Sequence, residues 1–546
     1  MKDLLKFITC GSVDDGKSTL IGHLLYDAKL VYADQERALE LESKAGSRAG
    51  KLDYSLLLDG LTEEREQGIT IDVAYRYFNT DRRSFIVADC PGHEEYTRNM
   101  AVGASFAQLA VILIDASKGV LVQTRRHTRI CALMGIRHFV FAVNKMDLVG
   151  YSEETFRAIE GEVRGLASEL GLDDVALIPL SATEGDNVTK PSAHTPWYAG
   201  KTLLTYLEEV NVDDADVEQG FYLPVQRVCR PDHTFRGFEG QVEAGAVRVG
   251  DELTVLPSRE TAHVKGLLVG DRQADSAGIG RPLTIQLDRE VDVSRGCVLE
   301  AGAGIPVADR FVATVLWMDD APLSEGGDYL VKLGTRTIAG VVDKVEFAID
   351  VNTGEQHPAH RLEKNALARV EVSLLQPVPV DRFDAHRTLG EFILIDRVSN
   401  MTSACGTVTE VEEGASASLR EVTPVTRAHR LGQRAAAVIF DADTTDAKFL
   451  GDVESNLLYL GRYTSRVVKA HGEALSGAAV ALVEAGTVAL VLAEPADADG
   501  LRRVLGEHVL DARDLPLADG AHATAQAVFD RTHPVFDEDW SDFGGL

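Results

Sequence analysis

The sequence predicts an α/β P-loop domain, then two antiparallel β-barrel domains, then a C-terminal α/β module. Three observations carry that reading. Residues 1–212 alternate short apolar runs with amphipathic helical stretches, the pattern of a doubly wound parallel sheet. Residues 220–306 and 308–408 instead carry short alternating strands, broken in the first stretch by Gly237, Gly240, Gly245 and Gly250, as small barrels do. Residues 431–546 return to strand and helix alternation.

The first element is the apolar run 4–10, which delivers Gly11-Ser12-Val13-Asp14-Asp15-Gly16-Lys17-Ser18-Thr19. This is G-x-x-x-x-G-K-[ST] between a strand and a helix over 18–25. Glycines let backbone N–H groups curl around a phosphate, Lys17 neutralises its charge, and the Ser18 hydroxyl ligates Mg²⁺. The helix points its positive end at the same place. Gly11, Asp14, Asp15, Gly16, Lys17, Ser18 and Thr19 are therefore candidate phosphate-site residues.

Residues 28–68 are polar and charged, without a sustained apolar run, and read as a long, mobile connection. It ends at Thr70, just before an alternating strand over 71–78. A threonine there completes a magnesium shell only while a γ-phosphate is present. The next strand, 84–88, runs into Asp89-Cys90-Pro91-Gly92-His93, a D-x-x-G element in which Asp89 holds a magnesium-bound water and the Gly92 N–H senses the γ-phosphate. Strand 110–115, helix 124–135 and strand 139–143 lead to Asn144-Lys145-Met146-Asp147. The Asp147 carboxylate accepts both guanine N1–H and N2–H, a donor pair that adenine lacks, and Lys145 lies over the base plane. Helix 153–170 has an ordinary core face, and strand 175–180 ends in Ser181-Ala182, whose backbone is placed to touch the guanine oxygen. The ligand set is GTP or GDP with Mg²⁺, the metal held by Ser18, Thr70 and, through water, Asp89.

Composition bounds the partners. The chain has 546 residues and a formal charge of −30, which disfavours broad binding to nucleic acid backbones. Six scattered cysteines form no C-x-x-C pair and read as reduced thiols of a cytoplasmic protein. The opening residues Met1-Lys2-Asp3 lead straight into a strand, not a secretory segment, and no apolar run reaches the ~20 residues of a membrane span.

Asp89-Cys90-Pro91-Gly92-His93 resembles the D-x-x-G form of the translation-factor GTPases, a resemblance that gives His93 the role of positioning the attacking water. Within that superfamily the loop with Ser12 and Asp15 differs from elongation factor Tu, which has histidines there. Together with Leu20-Ile21-Gly22-His23-Leu24-Leu25-Tyr26-Asp27, Glu94-Glu95-Tyr96-Thr97-Arg98-Asn99-Met100 and Gly185-Asp186-Asn187-Val188, it resembles the large GTPase subunit of bacterial sulfate adenylyltransferase over roughly residues 1–400. That resemblance implies GTP hydrolysis coupled to formation of adenosine 5′-phosphosulfate and diphosphate from ATP and sulfate, on a separate small catalytic subunit. His93, Lys17 and Thr70 would be the residues of hydrolysis. It also implies that Gly245-Ala246-Val247-Arg248-Val249-Gly250-Asp251 belongs to the second domain and that 390–397 closes the third. An elongation factor-like GTPase is the rival reading, and a regulatory scaffold with a vestigial GTPase a third; the acidic balance, Asp15 and the intact Lys17, Thr70, Asp89, His93 and Asp147 set favour the first.

Residues 434–495 resemble a degenerate adenylylsulfate kinase. In the place of its phosphate loop stands Asp441-Ala442-Asp443-Thr444-Thr445-Asp446-Ala447-Lys448-Phe449, where only the lysine survives. Alanines replace both framing glycines and Phe449 replaces the hydroxyl residue, so the module is expected to fold without kinase activity and to serve as a partner or dimer surface. An unrelated α/β domain is the alternative.

Overall fold

The computed structural model describes residues 4–27, 70–212, 220–232, 235–397, 399–412, 427–428, 431 and 433–532. The connection expected over 28–68, residues 213–219 and the last residues of 431–546 lie outside them.

The first unit is built on β1 (Leu4–Cys10), β2 (Ala74–Asn79), β3 (Ser84–Asp89), β4 (Leu109–Asp115), β5 (His138–Asn144) and β6 (Asp174–Pro179). Among the described residues they form a six-stranded sheet in the order β2-β3-β1-β4-β5-β6. All neighbours are parallel except β2, which pairs antiparallel with β3 because residues 80–83 make a tight turn, too short for a crossover. The strand expected to start at residue 71 starts at Ala74. Asp72 Oδ1 takes the Val73 N–H at 2.7 Å and removes that donor from the ladder, which leaves Thr70 in the loop above.

Helices α1 (Lys17–Asp27), α2 (Thr97–Phe106), α3 (Val122–Leu133), α4 (Glu153–Glu169) and α5 (Leu203–Glu209) cover both faces of the sheet. Strand residues alternate between two cores: Phe7, Val87, Val111 and Val140 meet Leu20 and Ile21 of α1 and Leu203 and Leu207 of α5. Ile8, Ala88, Ile112 and Phe141 meet Met100, Ile130, Phe156 and Ile159 on the other side. Every residue of β4 is buried, as a central strand covered on both faces requires. Each large apolar side chain so buried stabilises the fold by roughly 2 kcal/mol.

Among the described residues, six strands close each barrel. The first closes where Glu252–Leu256 pairs with Glu260–Val269, and the second where Asp328–Leu333 pairs with Arg336–Ile349. The strand Glu391–Asp396 does not end the second barrel, as 390–397 had been expected to do. Thr402–Val411 follows it and pairs with both Glu391–Asp396 and Val307–Trp317. This barrel packs on the first unit beside the D-x-x-G segment: Asn365 Nδ2 donates to Glu94 O at 3.1 Å, and Arg98 Nη2 to Met318 O at 2.9 Å.

The C-terminal unit has four parallel strands among its described residues, Ala436–Asp441, Thr464–Val467, Val488–Ala493 and Val509–Asp511, arranged second-third-first-fourth. The loop expected over 441–449 ends inside a helix, Ala447–Tyr459, because Asp446 caps its N-terminus. No helix of the described residues is long and apolar enough to cross a membrane.

Candidate guanine-nucleotide site

The carboxyl ends of β1, β3, β5 and β6 and the start of α1 surround a cavity of about 430 Å³. Its shape depends on two close approaches. Gly16 adopts φ 93°, and a Cβ there would lie 2.5 Å from Asn144 Nδ2. At Gly92 a Cβ would lie 2.6 Å from both Gly11 O and Lys17 Nζ, so any side chain would push the D-x-x-G segment off the phosphate loop. Asp14 holds φ 68°, a left-handed value that aspartate tolerates better than most residues.

At the phosphate end the cavity is lined by Asp14, Gly16, Lys17, Ser18, Thr19, Thr70 and Gly92. Lys17 Nζ donates to Gly11 O at 2.9 Å and Ser12 O at 2.8 Å; burial pushes its pKa down, opposed by the nearby Asp89 and Asp15 carboxylates. Ser18 Oγ donates to Asp89 Oδ2 and Thr9 Oγ1 to Asp89 Oδ1, each at 3.2 Å. Burial raises Asp89 to about 6, against the pull of Lys17 and these two hydroxyls. A hydroxyl, a buried carboxylate and the Thr70 hydroxyl group are the hard oxygen donors that Mg²⁺ prefers.

At the base end Asn144, Lys145, Asp147 and Ala182 line the cavity. Lys145, at φ 60°, sends Nζ to Asp115 Oδ2 at 2.8 Å, which stretches its stem across the floor. Burial alone would raise Asp115, but the hydrogen bonds from Lys145 and Ser117 outweigh it and hold the carboxyl below its ordinary value. The Asp147 carboxylate hydrogen-bonds to no described residue and faces the cavity, ready for donors on a base.

Some sequence-predicted residues lie elsewhere. Gly11, Asp15, His93 and Ser181 do not line the cavity, and Asp89 stands just behind the lining residue Ser18, whose hydroxyl it accepts. Asp15 sits behind the loop, where Oδ2 accepts the Ser12 N–H at 2.6 Å. Ser181 serves its own turn, its Oγ accepting the Glu184 N–H. In the Ser181-Ala182 backbone, expected to touch the guanine oxygen, the Ala182 N–H donates to Asn144 Oδ1 at 2.9 Å. His93 is 45% exposed, and its Nδ1 accepts the Glu95 N–H at 3.3 Å, capping the turn Glu94–Tyr96.

Other contributions were missed. Val13, Leu148 and Thr183 also line the cavity. Asn144 is a strut as well as a motif residue: its Nδ2 donates to Asp15 O at 2.7 Å while its Oδ1 holds Ala182, tying the phosphate loop to the base loop. His23 on α1 does the same from below, donating from Nδ1 to Ala182 O at 2.9 Å with Gly185 packed on its ring. In the sequence His23 appears only as part of the stretch 20–27 that carries the family resemblance, with nothing to mark its contact with Ala182. The six cysteines are all free, with Cys10 Sγ and Cys131 Sγ 3.9 Å apart in the core beneath the loop.

Residues 2–213 match the family described as Elongation factor Tu GTP binding domain, and residues 310–409 match GTP-eEF1A C-terminal domain-like. With the sheet order and the cavity, this makes the first unit a GTPase domain of the elongation-factor type. The chain is 54% identical to a bifunctional enzyme CysN/CysC of Xylella fastidiosa over 75% of its own length, and spans 66% of that relative. It is 48% identical to sulfate adenylyltransferase subunit 1 of Francisella tularensis subsp. novicida, covering 74% of this chain and 87% of the relative. It is 46% identical to a bifunctional enzyme CysN/CysC of Rhodopirellula baltica over 84% of this chain and 74% of the relative, a span that residues 1–430 alone could not supply. A solved structure, sup35 complexed with GMPPNP, aligns at 25% identity over 76% of this chain and 95% of its own, with a TM-score of 0.35. The chain belongs to the sulfate adenylyltransferase subunit 1 family and is a GTPase subunit of that kind. These relatives do not favour the elongation factor-like alternative.

Proposed function

We propose that GTP hydrolysis at this cavity drives the formation of adenosine 5′-phosphosulfate and diphosphate from ATP and sulfate on a separate small catalytic subunit, in the cytoplasm. The observation that carries it is the pairing, in one cavity, of Lys17, Ser18, Thr70 and Gly92 at one end with the free Asp147 carboxylate at the other, in a chain of this family. Lys17 binds the β- and γ-phosphates, and Asp147 reads guanine. Ser18, Thr70 and, through water, Asp89 would hold Mg²⁺, which would neutralise charge on the phosphates. Asp89 would do so ionised, with Thr9 keeping its second oxygen occupied. His93 positions the attacking water, and for that its ring has to leave the Glu95 N–H.

The units run over 1–212, 220–306, 308–408 and 431–546, with the third carried past its expected limits by the strands Val307–Trp317 and Thr402–Val411, and the last carries no kinase activity. The helix N-terminus that would face a phosphate is filled by Asp446, whose Oδ1 accepts the Phe449 N–H at 2.7 Å. Lys448 points away from it: its side chain is 87% exposed and 3.7 Å from Asp452. The test is adenosine phosphosulfate formation from ATP and sulfate with and without GTP, by this chain, by the small subunit and by both. Product from the isolated chain, or GTP-independent product from the pair at an unchanged rate, would refute the proposal.

A further inference from the structure

The loop over which phosphates would lie is backed by a carboxylate. Asp15 is 1% exposed; one oxygen accepts the Ser12 N–H at 2.6 Å and the other, Oδ1, has no partner among the described residues. A Cβ on Gly11 would stand 3.1 Å from Asp15 Oδ2, so the carboxylate lies against the Gly11-Ser12 turn. Lys17 Nζ grips the carbonyls of the same two residues. One buried cation therefore stands among two buried carboxylates, Asp15 and Asp89, with Lys118 and Asp115 beyond them. Burial raises the Asp15 carboxyl, and Lys17 and the Ser12 N–H pull it back.

The loop's shape needs an acceptor at this position more than it needs a charge. An amide oxygen also accepts the Ser12 N–H, less strongly than a carboxylate does, and the second carboxylate oxygen has no partner among the described residues. What the charge does change is the potential at the loop, in a site where low dielectric leaves it poorly screened. Asp89 differs, since both its oxygens are engaged and Mg²⁺ would offset its charge.

We propose that Asp15 is a built-in brake on phosphate affinity: it repels the ligand in proportion to phosphate charge and so speeds release of guanosine di- and triphosphates. The inference rests on the reading that phosphates occupy the loop of residues 11–18. It is tested with the intact chain and its Asp15→Asn variant at pH 8, measuring dissociation constants and release rates for guanosine, GMP, GDP and GTP. Asparagine keeps an acceptor for Ser12 and removes only the charge. The expected result is no change for guanosine, a small gain for GMP, and ~tenfold tighter, slower-releasing binding for GDP and GTP. Asp15→Ser, also neutral, should follow the same order if the first variant folds poorly. An equal factor for all four ligands, or weaker binding of GDP and GTP, would make Asp15 a purely structural residue and overturn the inference. If the unaltered chain bound none of them, the site itself would be refuted, and the brake with it.

Discussion

Asn144 is the residue whose removal should cost the site most for its size. It is 2% exposed and makes two hydrogen bonds to backbone groups of different loops, to Asp15 O at 2.7 Å and from Ala182 N–H at 2.9 Å. Asn144→Ala leaves a buried carbonyl and a buried N–H without partners, each worth about 1–3 kcal/mol. The total is about 2–6 kcal/mol, shared between loosening of the unliganded loops and loss of ligand affinity. If half appears in binding, GDP affinity falls about 5- to 150-fold. Asn144→Asp is the sharper variant, because it keeps an acceptor for Ala182 but sets a carboxylate oxygen against Asp15 O, so it should bind no better than the alanine variant. The assay is titration of a fluorescent GDP analogue, with far-UV circular dichroism confirming the fold. Binding within twofold of the unaltered chain, in a folded Asn144→Ala protein, would refute the strut.

Asp147→Asn should relax selectivity from guanine toward xanthine nucleotides; equal competition by ATP and GTP in the unaltered protein would remove the base-reading assignment. His93→Ala should leave GTP affinity nearly unchanged and slow hydrolysis, since a group that positions water acts mainly in the transition state, and equal loss of both would make His93 structural. His127, 1% exposed and pushed down to about 3 chiefly by burial, stays neutral in the fold but binds a proton near its ordinary 6.5 when unfolded. Its stabilisation is therefore present above pH 6.5 and lost as pH falls toward 3, by about 2 kcal/mol at pH 5; in urea unfolding, His127→Leu should flatten that part of the pH profile, and an unchanged slope would count against it. Lys448→Ala should leave the intact chain's ATP binding unaltered, and a loss of saturable binding would show a working loop in the C-terminal unit.

The parts of the site that the sequence made legible are those in which residue type and spacing together specify a chemistry. The phosphate loop, Asp89 with Gly92, and Asn144 with Asp147 each lie within a few residues, directly after a buried strand. What escaped depends on contacts between distant segments. Nothing near His23 announces that its ring will reach Ala182, and nothing near Asp15 distinguishes a side chain turned under the loop from one turned toward the ligand. His93 was placed by its neighbours in the chain, but its nearest backbone donor, Glu95, took the ring. In the second barrel, Thr402–Val411 mixes Cys405, Gly406 and several threonines, which blurs the period-two pattern although the strand is central. The start of the helix Ala447–Tyr459 was legible in Asp446, an N-cap residue one position before it.

The two α/β units of the chain place a strand, a loop and a helix in the same order and give the helix N-terminus opposite uses. In the first, Gly16 holds a backbone angle that few residues tolerate, Lys17 is drawn inward to the loop carbonyls, and the N–H groups at the start of α1 are left for a ligand. In the last, Ala447 opens the helix, Lys448 leans toward Asp452 in solvent, and the Asp446 carboxylate occupies the donor that an anion would need. The cap takes one of the N–H groups at that helix N-terminus, and Asp441 and Asp443 lie close to it in the chain. Folding does not depend on the choice. Val438, Phe440, Leu450, Val453, Leu457 and Leu490 fill one side of the C-terminal sheet, and Ile439, Leu475, Val491 and Leu501 the other. The apolar residues that hold strand against helix are separable from the few loop residues that bind phosphate, so the second set can be replaced by a self-capping turn while the first still folds the unit.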